Sequence, residues 1–291
     1  MMTVPATAAR AVVRALVPPT KSGHACEDGA CREASVDDVV VGTILRAARE
    51  HARLSPGDAA ACLGLREARI IRLETGRATW SPQHAVTLAR RYGIPAEQVE
   101  ELGELLAAEH DHAVPDLGAD PGPRLAALEG QAVAIRVATR TVPPFVYGWG
   151  TKGTLLTGQP RPGMPTAPRP RPWPACPVTL LWEEYTLAWG YIDAATTAAR
   201  LRHLAAMAGA GVLQFRILIP DYDTWFEPVG SELTLEHTTV CVEEHLYGVT
   251  YSNGPAAAWK KAALDRQLAA ALSPEDSLAA LHRAAERWAR S

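Results

Sequence analysis

Four arginines stand close together in the segment LREARIIRLETGR: Arg66, Arg69, Arg72 and Arg77. The first three recur every third residue, so a helix places them along one side. A guanidinium stays charged at any physiological pH and carries a planar fork of donors. That fork fits phosphate oxygens, or the O6 and N7 edge of guanine. The chemistry available to such a row is anion and base recognition, with no bond made or broken. Ser55 and Glu67 add a hydroxyl and a carboxylate to the same neighbourhood. Arg72 is the candidate for reading a base, and Arg66, Arg69 and Arg77 are candidates for phosphate.

The elements that must position these groups lie in LSPGDAAACLGLREARIIRLETG, Leu54 to Gly76. Ser55 caps a first helix. Pro56 takes its first turn, where a missing N–H costs nothing, and Asp58 completes a capping-box-like Ser-x-x-Asp. Ala59, Ala60 and Leu63 form a small apolar face, with Cys62 expected on the core side. Gly64 supplies a left-handed turn. A second helix runs from about Arg66 to Thr75, with Ile70 and Leu73 inward and Gly76 as its C-terminal cap. Flanking stripes complete a bundle: Val41, Ile44, Leu45 and Ala48 before the unit, then helices started by Ser81-Pro82 and Pro95. The expectation is an all-α, five-helix domain over residues 37–112 that sets one helix into a DNA major groove.

Charge agrees with that reading. From Val41 to Tyr92 there are nine arginines and four carboxylates, giving +5, while the whole chain is −3. A local cationic patch on a mildly acidic protein is the electrostatic footprint of a phosphate-backbone binder. At 291 residues, 47% of them hydrophobic, the chain is long enough for about two domains with real cores. No apolar run is long enough to cross a bilayer, and Arg10 and Arg14 interrupt the start, so residues 1–36 read as a disordered tail of a cytoplasmic protein with no membrane role. Five scattered cysteines make no disulfide framework, and His24, Cys26 and Cys31 match no common zinc spacing.

The helical region resembles the lambda-repressor-like, or Xre-type, helix-turn-helix domain. The matching pieces are VGTILRAAREHARLS, the Ala60…Leu63-Gly64 turn and Ile70-x-x-Leu73-Glu74-Thr75-Gly76-Arg77. The resemblance implies double-stranded DNA as partner and a homodimer that meets two half-sites. Three residues depart from the family pattern: Pro56 stands where a glutamine is common, Arg66 where a serine or threonine caps, and Ile71 where a polar residue is usual. Glu67 and Ala68 occupy positions that often read bases in that family.

Beyond the bundle, AVPDLGADPGPR reads as a linker over 113–124, followed by a helix from Leu125 to about Ala138. Residues 150–177 are dominated by proline and glycine and read as a long loop. After Pro177 the period changes. Strands are expected at the start of VTLLWEEYTLAWG, over Gly211–Pro220, Glu232–His237 and Thr239–Glu244, and near Tyr247–Tyr251. Helices are expected over Ala194–Ala208, Trp259–Leu272 and Pro274–Ala289. The fold class is therefore multidomain, with an α+β C-terminal domain over 125–291.

This half resembles the C-terminal domain of the Scr1 family of helix-turn-helix regulators, the DUF5753 domain. The pieces, in order, are Leu128-Glu129…Ala132…Ile135-Arg136, Leu181-Trp182-Glu183-Glu184…Leu187, the strand Val212 to Pro220, and Ala270-Ala271-Leu272-Ser273-Pro274-Glu275-Asp276-Ser277-Leu278. The family's V-P-G-L-L-Q-T segment stands here as Val142-Pro143-Pro144-Phe145-Val146-Tyr147-Gly148, and the helical stretch after it is replaced by the Pro-rich loop. The resemblance implies a bacterial, antitoxin-like regulator of transcription that works with a very small DUF397-type protein.

No nucleophile elbow, phosphate loop, dinucleotide fingerprint or zinc-helix motif occurs, so no catalytic residue, cofactor or metal site is assigned. Eight tryptophans against three phenylalanines are unusual. Trp149, Trp182, Trp189 and Trp225, with Glu184, are candidates for the wall of a small-molecule pocket. That keeps a second class open: a small-molecule effector site, or a ligand-binding protein or biosynthetic enzyme built on a regulator fold that has lost DNA binding.

Overall fold

The structure is a computed structural model. It describes residues 35–107, 112–118, 120–140, 143, 146, 171–188, 193–221, 225–245 and 248–291. The tail 1–34, loop residues 150–170, Trp149 and Trp189 lie outside the described residues. The chain divides into two compact units. One takes the residues up to Gln131 together with Glu236–Ala257, the other Ala132–Leu235 and Ala258–Ser291.

Among the described residues the first unit begins with five helices: α1 (Val36–His51), α2 (Pro56–Leu63), α3 (Glu67–Glu74), α4 (Pro82–Arg91) and α5 (Ala96–Ala107). Their apolar stripes meet in one core of Val40, Ile44, Leu45, Ile70, Leu73, Leu88 and Leu102, each 5% exposed or less. The unit does not stop there. Ala113–Asp116, read from the sequence as linker, forms strand β1, and α6 (Gly122–Gln131) follows. Strands β6 (Thr239–His245) and β7 (Gly248–Ser252) return from late in the chain, and β7 pairs antiparallel with both β1 and β6. Among the described residues β1 is an edge strand, a place where Pro115 is tolerated without an N–H.

A buried ion-pair network ties these pieces together. Arg124 of α6 donates to both oxygens of Asp116 on β1 at 2.7 Å and also to Glu101 of α5. The Tyr251 hydroxyl on β7 donates to the same Asp116 carboxylate at 3.3 Å. Arg124 and Asp116 are almost fully buried. Buried charges persist only when paired in this way.

The second unit is an α+β arrangement of β2 (Ala134–Ala138), β3 (Val178–Glu183), β4 (Gln214–Leu218) and β5 (Gly230–Thr234), with α7 (Ala194–Gly209), α8 (Gly254–Ala270, from residue 258 on) and α9 (Pro274–Arg290). β2, β3 and β4 run parallel, and β5 pairs antiparallel with the free side of β2. The helix expected over Leu125–Ala138 therefore ends at Gln131, and its last residues are strand. Ile135 and Val137 are buried while Ala134 and Arg136 are half-buried, a period-2 alternation that only the neighbouring strands make favourable. The core here is Ala138, Leu181, Leu218, Phe226, Val229, Ala263 and Leu264. Arg216 of β4 donates to the carbonyls of Leu268, Ala271 and Leu272, closing the C-terminus of α8.

Candidate nucleic-acid interface

The turn is built as its residues dictate. The Ser55 hydroxyl accepts from the Asp58 N–H at 3.1 Å, and the Asp58 carboxylate accepts from the Ser55 N–H at 2.7 Å, a complete capping box. The Ser55 hydrogen bonds hold the Asp58 carboxyl below the usual carboxylate range. Gly64 closes α2 at φ 66° and ψ 27°, the left-handed conformation open to glycine at little cost. Arg66 then precedes α3 in extended backbone, with no side-chain cap of its own.

Helix α3 is held from behind. Ile70 and Leu73 are buried against the bundle. Arg49 of α1 grips Glu74 through two bonds, Nε to Oε1 at 2.7 Å and Nη2 to Oε2 at 2.8 Å, and its third nitrogen donates to the Leu54 carbonyl at 2.8 Å. Burial, and then the Glu74 carboxylate, push the nearby Tyr92 hydroxyl's pKa upward. Helices α1 and α3 touch at Gly42, where a Cβ would meet the Leu73 carbonyl at 2.4 Å. Asp38 accepts from the Trp80 N–H at 2.6 Å and fixes the segment after α3 to α1.

The outer side of α3 carries the exposed candidates. Arg66, Glu67, Ala68, Arg69, Ile71 and Arg72 are all exposed, and so are Ser55 and Arg77. Arg69 reaches the Thr79 carbonyl at 3.5 Å and Arg72 the Arg77 carbonyl at 3.4 Å, long contacts that leave most of each fork open. Arg49 and Arg46, counted in the sequence as surface charge, are used differently. Arg49 is inside the bundle. Arg46 pairs with Glu50 at 3.0 Å and with Glu236, just before β6, at 2.8 Å. With the Arg49–Glu74 and Arg46–Glu50 pairs set aside, seven exposed arginines face two carboxylates between residues 41 and 92, which is again +5. The whole local excess sits on the surface.

One expectation about this helix pair is corrected. Cys62 is exposed, because the short α2 turns Ala59 and Ala60 inward and position 62 falls off that side, on the flank of the helix.

The pocket candidates among the described residues stand in different settings. Trp182 is buried on β3, edge-on to Phe215 with centroids 5.6 Å apart, as ordinary core. Glu184 is exposed on the short 3-10 helix Glu184–Ala188, and Trp225 is 74% exposed. Trp149 and Trp189 fall outside the described residues. Among the described residues no cluster of three or more His, Cys, Asp or Glu is arranged to hold a metal ion, and no helix is long and apolar enough to cross a membrane.

Residues 40–102 match the model of a helix-turn-helix domain. The chain carries a helix-turn-helix domain. Its two defining helices are α2 and α3, joined at Gly64, and α3 is the helix that such a domain offers to DNA. The match supports a DNA-binding regulator. It leaves the second unit unassigned, and no curated protein or solved structure matches the chain.

Proposed function

We propose that this protein is a transcriptional regulator that reads double-stranded DNA through α3 of its helix-turn-helix domain. The observation that carries the reading is the exposed set Arg66, Arg69, Arg72 and Arg77 on and flanking a helix locked from behind by Arg49–Glu74. Arg72 reads a guanine edge, while Arg66, Arg69, Arg77 and the Ser55 region hold phosphates; Glu67 lies on the same exposed side. A helix-turn-helix domain reaching one half-site gains specificity as a dimer, and we place the protein as a homodimer in the compartment that holds the DNA.

The finer assignment rests on the sequence resemblance: an Xre-type reader with a Scr1-type, DUF5753-like second half. That half then serves a small DUF397-type partner or an effector. Differential binding to two states is how such a ligand would change DNA affinity.

The test is selection of duplexes from a random pool with the full chain, followed by anisotropy titrations at several salt concentrations. The expected outcome is an affinity that falls linearly in log–log with salt. Arg72→Ala should lose about 5- to 150-fold on the selected site, from the roughly 1–3 kcal/mol of a bidentate guanine contact, and keep its non-specific binding. No duplex binding at low salt overturns the proposal.

A further inference from the structure

Ile71 is the anomaly on the recognition helix. It is 45% exposed, while its neighbours Ile70 and Leu73 fill the core at 0% and 2%. Helical spacing puts it on the outward side with Glu67, Ala68 and Thr75, and the exposed Arg72 follows on the adjoining flank. The Thr75 hydroxyl donates back to the Ile71 carbonyl at 2.7 Å, so this last turn of α3 is well closed where Ile71 projects. A β-branched side chain on a helix has essentially one rotamer, so this apolar knob is stiff and its direction is set by the helix.

What covers such a knob is decided by its surroundings. Arg66, Arg69, Arg72 and Arg77 are exposed around it. A second copy of the same face would bring arginine onto arginine, whereas a polyanion is complementary. In the major groove one apolar group distinguishes the base pairs, the C5-methyl of thymine. Against the amino edge of cytosine or adenine, the same side chain would strip a donor of water and return no hydrogen bond.

We infer that Ile71 is a specificity-determining residue that packs on a thymine methyl beside the base read by Arg72, with the exposed Ala68 one turn earlier widening the apolar contact. This rests on the DNA-reading proposal above and adds to it a statement about sequence. The preferred half-site carries a thymine within one or two base pairs of a guanine.

The experiment replaces single thymines of the selected duplex with deoxyuridine, which removes one methyl and nothing else. For the unaltered full-length protein, one such replacement should weaken binding about three- to fivefold, the value of one buried methyl-sized group. Ile71→Ala should bind the thymine and deoxyuridine duplexes equally. Arg72→Ala, though weaker overall, should still distinguish them. Ile71 is on the surface, so circular dichroism of the variant should match the parent. Equal binding of the two duplexes by the unaltered protein, with guanine and salt dependence intact, overturns the role of Ile71 alone. The absence of any duplex binding overturns the DNA reading itself.

Discussion

Arg49 and Glu74, twenty-five residues apart in the chain, are joined by two parallel hydrogen bonds of 2.7 and 2.8 Å inside the helical bundle. One sits near the end of α1 and the other in the last position of α3, so the pair fixes the recognition helix to the scaffold at the end from which Arg72 and Arg77 project. Glu74 has only 2% of its side chain exposed. Arg49→Met therefore strands a buried carboxylate and should cost about 3–5 kcal/mol of stability. The double variant Arg49→Met with Glu74→Leu removes both charges and should recover much of that loss. Denaturant unfolding of the four proteins measures the coupling. An Arg49→Met variant as stable as the parent would show that the pair does not hold α3.

Gly42 sets how closely α1 and α3 approach. A Cβ there would lie 2.4 Å from the Leu73 carbonyl and 3.3 Å from the Glu74 Cα, both backbone atoms that cannot move aside alone. Gly42→Ala gains intrinsic helix propensity, worth about 1 kcal/mol on a free helix. Here overpacking, typically about 1–3 kcal/mol, opposes that gain. The expected result is net destabilisation, and a shifted α3 that binds DNA less tightly. A rise in melting temperature would contradict the close approach.

The capping box at the start of α2 makes a pH prediction. Hydrogen bonds from Ser55 hold the Asp58 carboxyl below the usual carboxylate range. A group whose folded pKa is lowered binds fewer protons folded than unfolded at intermediate pH. Its contribution is therefore complete above the unfolded value of about 3.9 and is lost as pH falls through the lower folded value. Ser55→Ala removes the hydroxyl partner, so the Asp58 titration followed by carboxyl NMR should move up toward the ordinary value. Asp193, whose carboxylate accepts from the Thr196 N–H and hydroxyl at 2.8 Å each, also titrates low and should not respond.

What the sequence reveals of this fold follows from the range of the interactions. The Ser55–Asp58 box, the Gly64 turn and the inward Ile70 and Leu73 are local and period-bound, so the residues announce them. Strands β3 to β7 were legible to within a few residues for the same reason. Arg49 was not, because a residue that looks like surface charge on α1 is buried by a partner 25 positions away. β1 was hidden by Pro115 in a segment with the composition of a linker, and only pairing with β7 makes it a strand. Ala134–Ala138 follows a helix without a strong breaker and becomes a strand through β3 and β5. The arginine row was legible as a set. The outward turn of Ile71 beside a buried Ile70 follows from the same spacing, and only the extent of its exposure needed the structure.

Glu236 gives the last prediction. It lies between β5 and β6, accepts from Arg46 at 2.8 Å, and its carboxyl is held below the usual range by that bond, with further attraction from His237 and Arg77. It is thus a carboxylate set beside the cationic side of the helix-turn-helix domain, where it offsets part of the field of Arg77 and, on the DNA-reading proposal, would compete with a phosphate for Arg46. Glu236→Gln keeps the size of the side chain and removes the charge. If phosphates approach this side, the variant should bind duplex more tightly at low salt. Its log–log salt slope should steepen by up to about 0.9, the increment of one more neutralised phosphate. Stability should change by less than about 1 kcal/mol, because both partners are partly exposed and an exposed ion pair contributes little. Anisotropy titrations across a salt series read both effects. A variant with unchanged affinity and slope would place Arg46 and Arg77 away from the DNA and confine the interface to Arg66, Arg69 and Arg72.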